Sequence, residues 1–195
     1  MHGLINRSIQ NYFCANYGQR LWVEVASRDG LDFTEFEAML TYSDHVTPAV
    51  LEAVCDVLDR PRAEVMEDVG TFLVAQPGYE AVRRLLRFGG VSFSDFLQSL
   101  DDLPDRTRLA LSELHLPWVE LREDPDGQYS LICEAPLVGY GYLMMGVLRA
   151  MADDYGALVV LDHGVPAPGC EVIEIALVAH DYSEGRRFEL GRKAG

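Results

Sequence analysis

The sequence predicts an α+β fold: a helical N-terminal part packed on a C-terminal part that holds an antiparallel sheet with one inserted helix. Three observations predict it. Apolar residues recur at three- and four-residue spacing through the first two-thirds of the chain, as on helices buried along one face. After Pro117 they fall instead in short runs bounded by turn-forming residues, as in strands. Between those runs, residues 140–155 form an apolar helical stretch. Helices first, then strands around one more helix, differs from the strict alternation of a parallel α/β sheet.

Leu4, Ile5, Ile9, Tyr12, Phe13 and Tyr17 mark the first helix, which Gly18 stops. Leu21, Trp22 and Val25 carry the pattern on to Gly30. A further helix starts after Thr47 with Pro48 at its first position, where the missing N–H has no intrahelical acceptor to lose. Val50, Leu51, Val54, Val57 and Leu58 form its apolar stripe. Pro61 opens the next helix, through Val65, Met66 and Val69 to Phe72 and Leu73, and Gln76-Pro77-Gly78 breaks the chain. Residues 79–88 are helical again, ended by Gly89-Gly90. Phe93, Phe96, Leu97 and Leu100 follow in a helix capped by Ser92 or Ser94. Residues 118–121 form a strand, Asp124-Pro125-Asp126-Gly127 a turn, and residues 129–133 the returning strand. Gly156 closes the helix of residues 140–155, and strands at 157–161 and 171–179 flank a Pro/Gly turn. Residues 1–182 are expected to form a single domain, and residues 183–195 a polar tail that frays.

At 195 residues, with 49% hydrophobic and 24% charged residues, the composition is that of an ordinary globular domain. Sixteen Lys and Arg against 31 Asp and Glu leave a net charge of −15. Such a surface repels phosphate backbones and anionic lipid, so neither nucleic acid nor membrane is an expected partner. No apolar run is long enough to span a bilayer, and the start, MHGLINRSIQNYF, lacks the basic-then-apolar order of a signal peptide. Cys14, Cys55, Cys133 and Cys170 form no CxxC pair and are expected as buried thiols in a cytoplasmic protein.

No Walker A loop, GxSxG or HExxH is present, so no catalytic residue and no metal site is expected, and the chain is not read as an enzyme. Gly139-Tyr140-Gly141 lacks the third glycine of a dinucleotide loop and is expected to permit close packing. His2, His45, His115, His163 and His180 show no i,i+2 or i,i+4 spacing and are expected at the surface or in hydrogen bonds. Asp101-Asp102 and Asp153-Asp154 are adjacent pairs that point apart on a helix, which suits caps or solvated turns. Met144-Met145, on an apolar helix, is expected in the core.

The order of segments resembles one known family. Met1-His2-Gly3-Leu4-Ile5-Asn6, Tyr17-Gly18 with Leu21-Trp22, and Gly78-Tyr79 come first. Leu85-Leu86-Arg87-Phe88-Gly89 follows, then Phe96-Leu97-Gln98-Ser99-Leu100-Asp101-Asp102-Leu103, Gly139 with Gly146, and Tyr155-Gly156. Together they resemble the heme-nitric-oxide/oxygen-binding (H-NOX, HNOB) domains of soluble guanylate cyclase and of bacterial stand-alone proteins. The resemblance implies a helical part and a mixed part with heme held between them. It also implies action through a partner signalling protein, such as a histidine kinase or a cyclic-di-nucleotide enzyme.

The sequence departs from both of the family's heme-holding features. The proximal histidine is expected after a segment like Leu100-Asp101-Asp102-Leu103, and Pro104 stands there. Proline offers no ligand atom and kinks or begins a helix. His115 is ~16 Å further along if the segment is helical, too far to replace it. The Tyr-x-Ser-x-Arg motif that grips the propionates falls on Cys133, Ala135 and Leu137, which alternate on one face if the backbone is extended. A leucine cannot offer the forked donor that arginine gives a carboxylate. The resemblance with these losses implies a heme-free sensory or regulatory module. The alternative is a gas sensor whose heme has an unusual axial ligand such as Cys133 or Met144. Leu4, Ile5, Met144 and Met145 are the candidates to line a pocket, for an apolar small ligand if one persists.

Overall fold

The computed structural model describes residues 3–28, 35–110 and 112–188. His2, Gly30 and residues 189–195 of the expected tail lie outside the described residues. The chain divides into two compact units, residues 1–69 and 70–195.

The first unit contains α1 (Gly3–Tyr17), α2 (Gln19–Ala26), α3 (Val46–Leu58) and the start of α4 (Arg62–Ala75). Phe13 of α1 packs against Trp22 of α2 at 5.7 Å between ring centres, and Trp22 meets Phe36 at 6.3 Å. Val50, Leu51 and Val54 of α3 are fully buried, as their spacing requires. α3 begins at Val46 rather than after Thr47, so Pro48 is its third residue. The first-turn N–H groups of a helix have no intrahelical acceptor, so the proline is tolerated there as well. Buried Thr47 Oγ1 donates to Asn6 Oδ1 at 2.6 Å, tying α3 to α1.

The second unit completes α4 and adds α5 (Glu80–Arg87), α6 (Phe93–Gln98), α7 (Leu103–Ala110), β1 (Trp118–Glu123), β2 (Tyr129–Glu134), α8 (Tyr140–Tyr155), β3 (Leu158–Ala167) and β4 (Cys170–Ala179). The four strands form one antiparallel sheet in the order β1-β2-β4-β3, with α8 inserted in the chain between β2 and β3. This is the α+β order predicted above. Ser92 is the cap of α6: Asp95 N–H donates to its Oγ at 3.1 Å, and Ser92 N–H donates to Asp95 Oδ2 at 3.0 Å. Pro104 is the second residue of α7, so it begins a helix rather than kinking one. The unit's core joins Leu97 and Leu100 to Leu131, Ile173 and Ile175 of the sheet and to Leu148 and Met151 of α8.

Part of the expected tail is tied down. Tyr182 and Ser183 N–H both donate to the Gly156 carbonyl, at 2.7 and 3.0 Å, and Arg186 N–H donates to the Asp154 carbonyl at 2.9 Å. The polar composition of this segment concealed these main-chain bonds, which do not depend on its side chains.

Candidate functional site

β2 alternates as a half-buried strand should, with Tyr129, Leu131 and Cys133 turned inward. Cys133 is fully buried in the second unit's core with Met144 and Met145, and Ala135 packs against the same cluster. The extended backbone ends at Glu134. Leu137 is buried in the turn that starts α8, its carbonyl accepting the Tyr140 N–H at 3.2 Å, and it lies outside that cluster. The expected one-face alternation of positions 133, 135 and 137 is therefore broken, because α8 needs a turn before it can begin. Pro104 is half-buried on α7 and also lies outside the cluster, although its neighbour Leu103 belongs to it. Leu4 and Ile5 are half-buried on α1 in the first unit.

Burial pushes the Cys133 thiol up to about 12, and the Glu171 carboxylate and Cys170 add to that. Cys133 is thus a neutral thiol near pH 7. Burial also holds the Tyr140 phenol well above the usual tyrosine range.

Glu171 stands opposite Cys133 in the β2–β4 ladder. Its Oε1 accepts the Gly139 N–H at 2.8 Å, and its Oε2 accepts the Gly141 N–H at 3.0 Å. Its Oε2 also lies 2.7 Å from His163 Nε2 on β3. Both side chains are about nine-tenths buried, with 7% of His163 and 10% of Glu171 exposed. Tyr142 stacks on the His163 ring with centres 3.9 Å apart. A β-carbon at Gly141 would stand 2.7 Å from Glu171 Oε2 and 2.8 Å from His163 Nε2, so only glycine lets the helix start meet the pair. A carboxylate on exposed N–H groups at a helix N-terminus also meets the positive end of the helix dipole.

The other end of α8 holds a second buried charge. Asp154, expected as a cap or solvated turn, has no exposed side-chain surface. Arg83 Nε donates to its Oδ1 at 2.7 Å, and Arg87 Nε lies 3.5 Å from its Oδ2. The Arg87 guanidinium lies over the Tyr155 ring at 3.8 Å. Asp154 follows Met151 by three residues and Ala150 by four, so its place on the apolar stripe was the signal of burial. Glu171 had the same kind of signal, sharing a strand face with Ile173 and Ile175. His163 and Arg83 gave none in the sequence, since only the sheet register and the packing of α5 bring them to these carboxylates.

His115 is exposed, its Nδ1 3.1 Å from the Glu113 carbonyl oxygen. Among the described residues no three His, Cys, Asp or Glu side chains cluster to hold a metal, and no helix is long and apolar enough to cross a membrane. The four cysteines are free thiols, Cys133 buried and the others half-buried.

The fold and this α8-centred core define the class: an α+β domain whose sheet carries one helix inserted between its second and third strands. Comparison with known proteins gives the family. The haem-NO-binding (HNOB) family model matches residues 2–163, and the chain belongs to that family. Soluble guanylate cyclase gcy-32 of Caenorhabditis elegans is 28% identical over 155 residues, 78% of this chain and 23% of the relative. Soluble guanylate cyclase gcy-31 of the same organism is 25% identical over 154 residues, covering 79% of this chain and 22% of the relative. The chain thus spans about a quarter or less of the length of these curated relatives. Among solved structures, a triple mutant of an H-NOX protein from S. oneidensis in the Fe(II) ligation state superposes with a TM-score of 0.78 at 18% identity, covering 93% of this chain and 98% of that one. An Fe(II) unliganded H-NOX protein from K. algicida gives 0.75 at 14% identity, covering 97% and 100%. The fold is the H-NOX fold.

Proposed function

We propose that the chain is an H-NOX sensory or regulatory module that works without heme and passes its state to a partner signalling protein. The observation that carries this reading is the donor set at the positions matching the family's heme site. Pro104 offers iron no ligand atom. Cys133, Ala135 and Leu137 offer propionates a buried neutral thiol, a methyl group and an isobutyl group. The Gly139 and Gly141 N–H groups at the start of α8 are taken by the carboxylate of Glu171. A second carboxylate brought there would meet like charge in a partly dry setting, and would be left without donors at a cost of several kcal/mol. These residues do not fit a heme. Met144 and Met145 are buried in the core, which supports a pocket at least partly filled by side chains.

The chain has no catalytic role in this reading. The guanylate cyclase activity in the relatives' names belongs to proteins four or more times longer than the matched stretch. The partner is a signalling enzyme of the histidine kinase or cyclic-di-nucleotide class, and the module acts in the cytoplasm. The test is hemin titration of the purified chain followed by absorption. The expected result is broad, non-saturating absorbance, both in the wild type and in Pro104→His, which restores one ligand without the propionate grip. A sharp, one-to-one Soret band in the wild type would overturn the heme-free reading in favour of unusual ligation. Such a band in Pro104→His alone would overturn the account of the propionate positions.

A further inference from the structure

The sheet of the second unit packs its inner face on the core through Leu131, Ile173, Ile175, Leu161 and Leu177, and the residues that alternate with these face the other way. An antiparallel sheet with one wet face alternates apolar and polar residues, whereas a strand covered on both faces reads as a near-continuous apolar run. β4 reads the second way: Val172, Ala176 and Val178 are among its outward residues, and Glu174 is the one charge there. β3 opens with four apolar residues in a row, 158–161. None of these outward residues belongs to the core, and Val160 and Val178 are each 59% exposed. Across the middle of this face runs a row of charge. Asp162 stands directly opposite Glu174 in the β3–β4 ladder, where like charges repel. Among the described residues neither is paired with a Lys or Arg: Glu174 Oε2 accepts the Ser130 hydroxyl at 2.6 Å, and Asp162 Oδ1 accepts the His163 N–H at 3.0 Å. Arg122, in the same row on β1, donates instead to Glu120, at 2.9 and 3.1 Å. Apolar ground lies on both sides of the row, Ile132 beside Val172 one way and Val160 beside Ala176 the other.

We propose that this outer face docks a basic amphipathic helix of the partner protein. The proposal rests on the reading of the chain as a module that acts through a partner, and names the docking place and its chemistry. A sheet buries an apolar face by taking a helix or a second sheet on it. From Val172 to Ala176 is four residues of strand, ~13 Å, with Glu174 midway. On a helix, residues eight apart span ~12 Å along one face, with the fourth residue midway. A helix lying along β4 with apolar side chains at i and i+8 therefore covers both apolar rows. A lysine or arginine at its i+4 position then comes between Asp162 and Glu174 and turns their repulsion into attraction. A second copy of this chain suits the face poorly, because it brings the same acidic row and its own net charge of −15.

The test titrates the full chain with an alanine-rich helical peptide of about 18 residues, long enough to hold a helix, that carries leucine at i and i+8 and lysine at i+4. Amide NMR shifts report where it binds. Saturable shifts are expected at Ile132, Val160, Val172 and Ala176, and none with the same peptide carrying glutamate at i+4. The double variant Asp162→Lys/Glu174→Lys is expected to weaken the lysine peptide by about tenfold or more and to accept the glutamate peptide instead. Val160→Asp is expected to weaken the lysine peptide by a second route, through the apolar row. Glu35→Lys/Glu52→Lys makes the same change in net charge at exposed positions of the first unit, and is expected to leave the affinity within about twofold. No binding by the lysine peptide, shifts centred elsewhere, or equal weakening in both charge-reversed variants would overturn the proposal. A dimer seen by sedimentation and broken by Val160→Asp would overturn it in favour of a second copy. None of these readouts involves hemin, so failure here is distinct from failure of the heme-free reading.

Discussion

A carboxylate with no exposed surface is stable only where cations and donors replace its water, and Asp154 has Arg83 at 2.7 Å and Arg87 at 3.5 Å in that role. Arginine suits it, since the planar guanidinium can donate to the carboxylate and stack on an aromatic ring together. Arg87 does so, over Tyr155. Removing the anion leaves two largely buried guanidinium groups uncompensated. Asp154→Asn is therefore expected to cost ~3–5 kcal/mol in urea unfolding, the range for breaking one side of a buried pair. Arg186→Ala removes only a half-exposed partner and is expected to cost less than about 1 kcal/mol. Equal losses in the two variants would mean that the buried arginines do not hold the charge.

The elements of the second unit show which local signals survive packing. α6 is short, so its start matters, and the reciprocal Ser92–Asp95 bonds satisfy first-turn donors that a helix cannot satisfy itself. Ser92→Ala is expected to cost about 1 kcal/mol by thermal unfolding. The hydrogen bonds from Ser92 hold the Asp95 carboxyl below the usual aspartate value. Because the folded form has the lower value, the stabilisation is complete above the ordinary aspartate range near pH ~3.9 and is lost as pH falls through the folded value. Wild type and Asp95→Asn should thus differ in Tm near neutrality and converge in acid. α8, by contrast, begins at Gly139 with no side chain of its own turn to cap it, and the cap comes from Glu171, thirty-two residues later in the chain. Its end at Gly156 was legible as a glycine stop, but the segment bound to that stop was not.

At the scale of the whole molecule the net charge of −15 acts on every element at once. Like charges spread over a small surface favour expansion, and added salt screens them. Raising ionic strength from about 0.01 to about 0.15 M shortens the screening length from about 30 to about 8 Å, so Tm is expected to rise over that interval. A fall would mean that surface ion pairs such as Arg60–Asp68 outweigh the repulsion. The sequence by itself determined the α+β order, the bounds of α8 and the family, because each rests on local periodicity, turn residues or the order of segments along the chain. We propose from the order of segments that Pro104, Cys133, Ala135 and Leu137 stand where the family's heme-holding residues are expected, and what those side chains can bind follows from their chemistry without coordinates. Tertiary structure alone decided that Glu171 and His163 clamp one end of α8, that Asp154 is buried among arginines, and that residues 182–188 fasten to the other end. Those contacts join residues distant in sequence, and the free energy that permits a buried charge lies in its partner rather than in any neighbour along the chain.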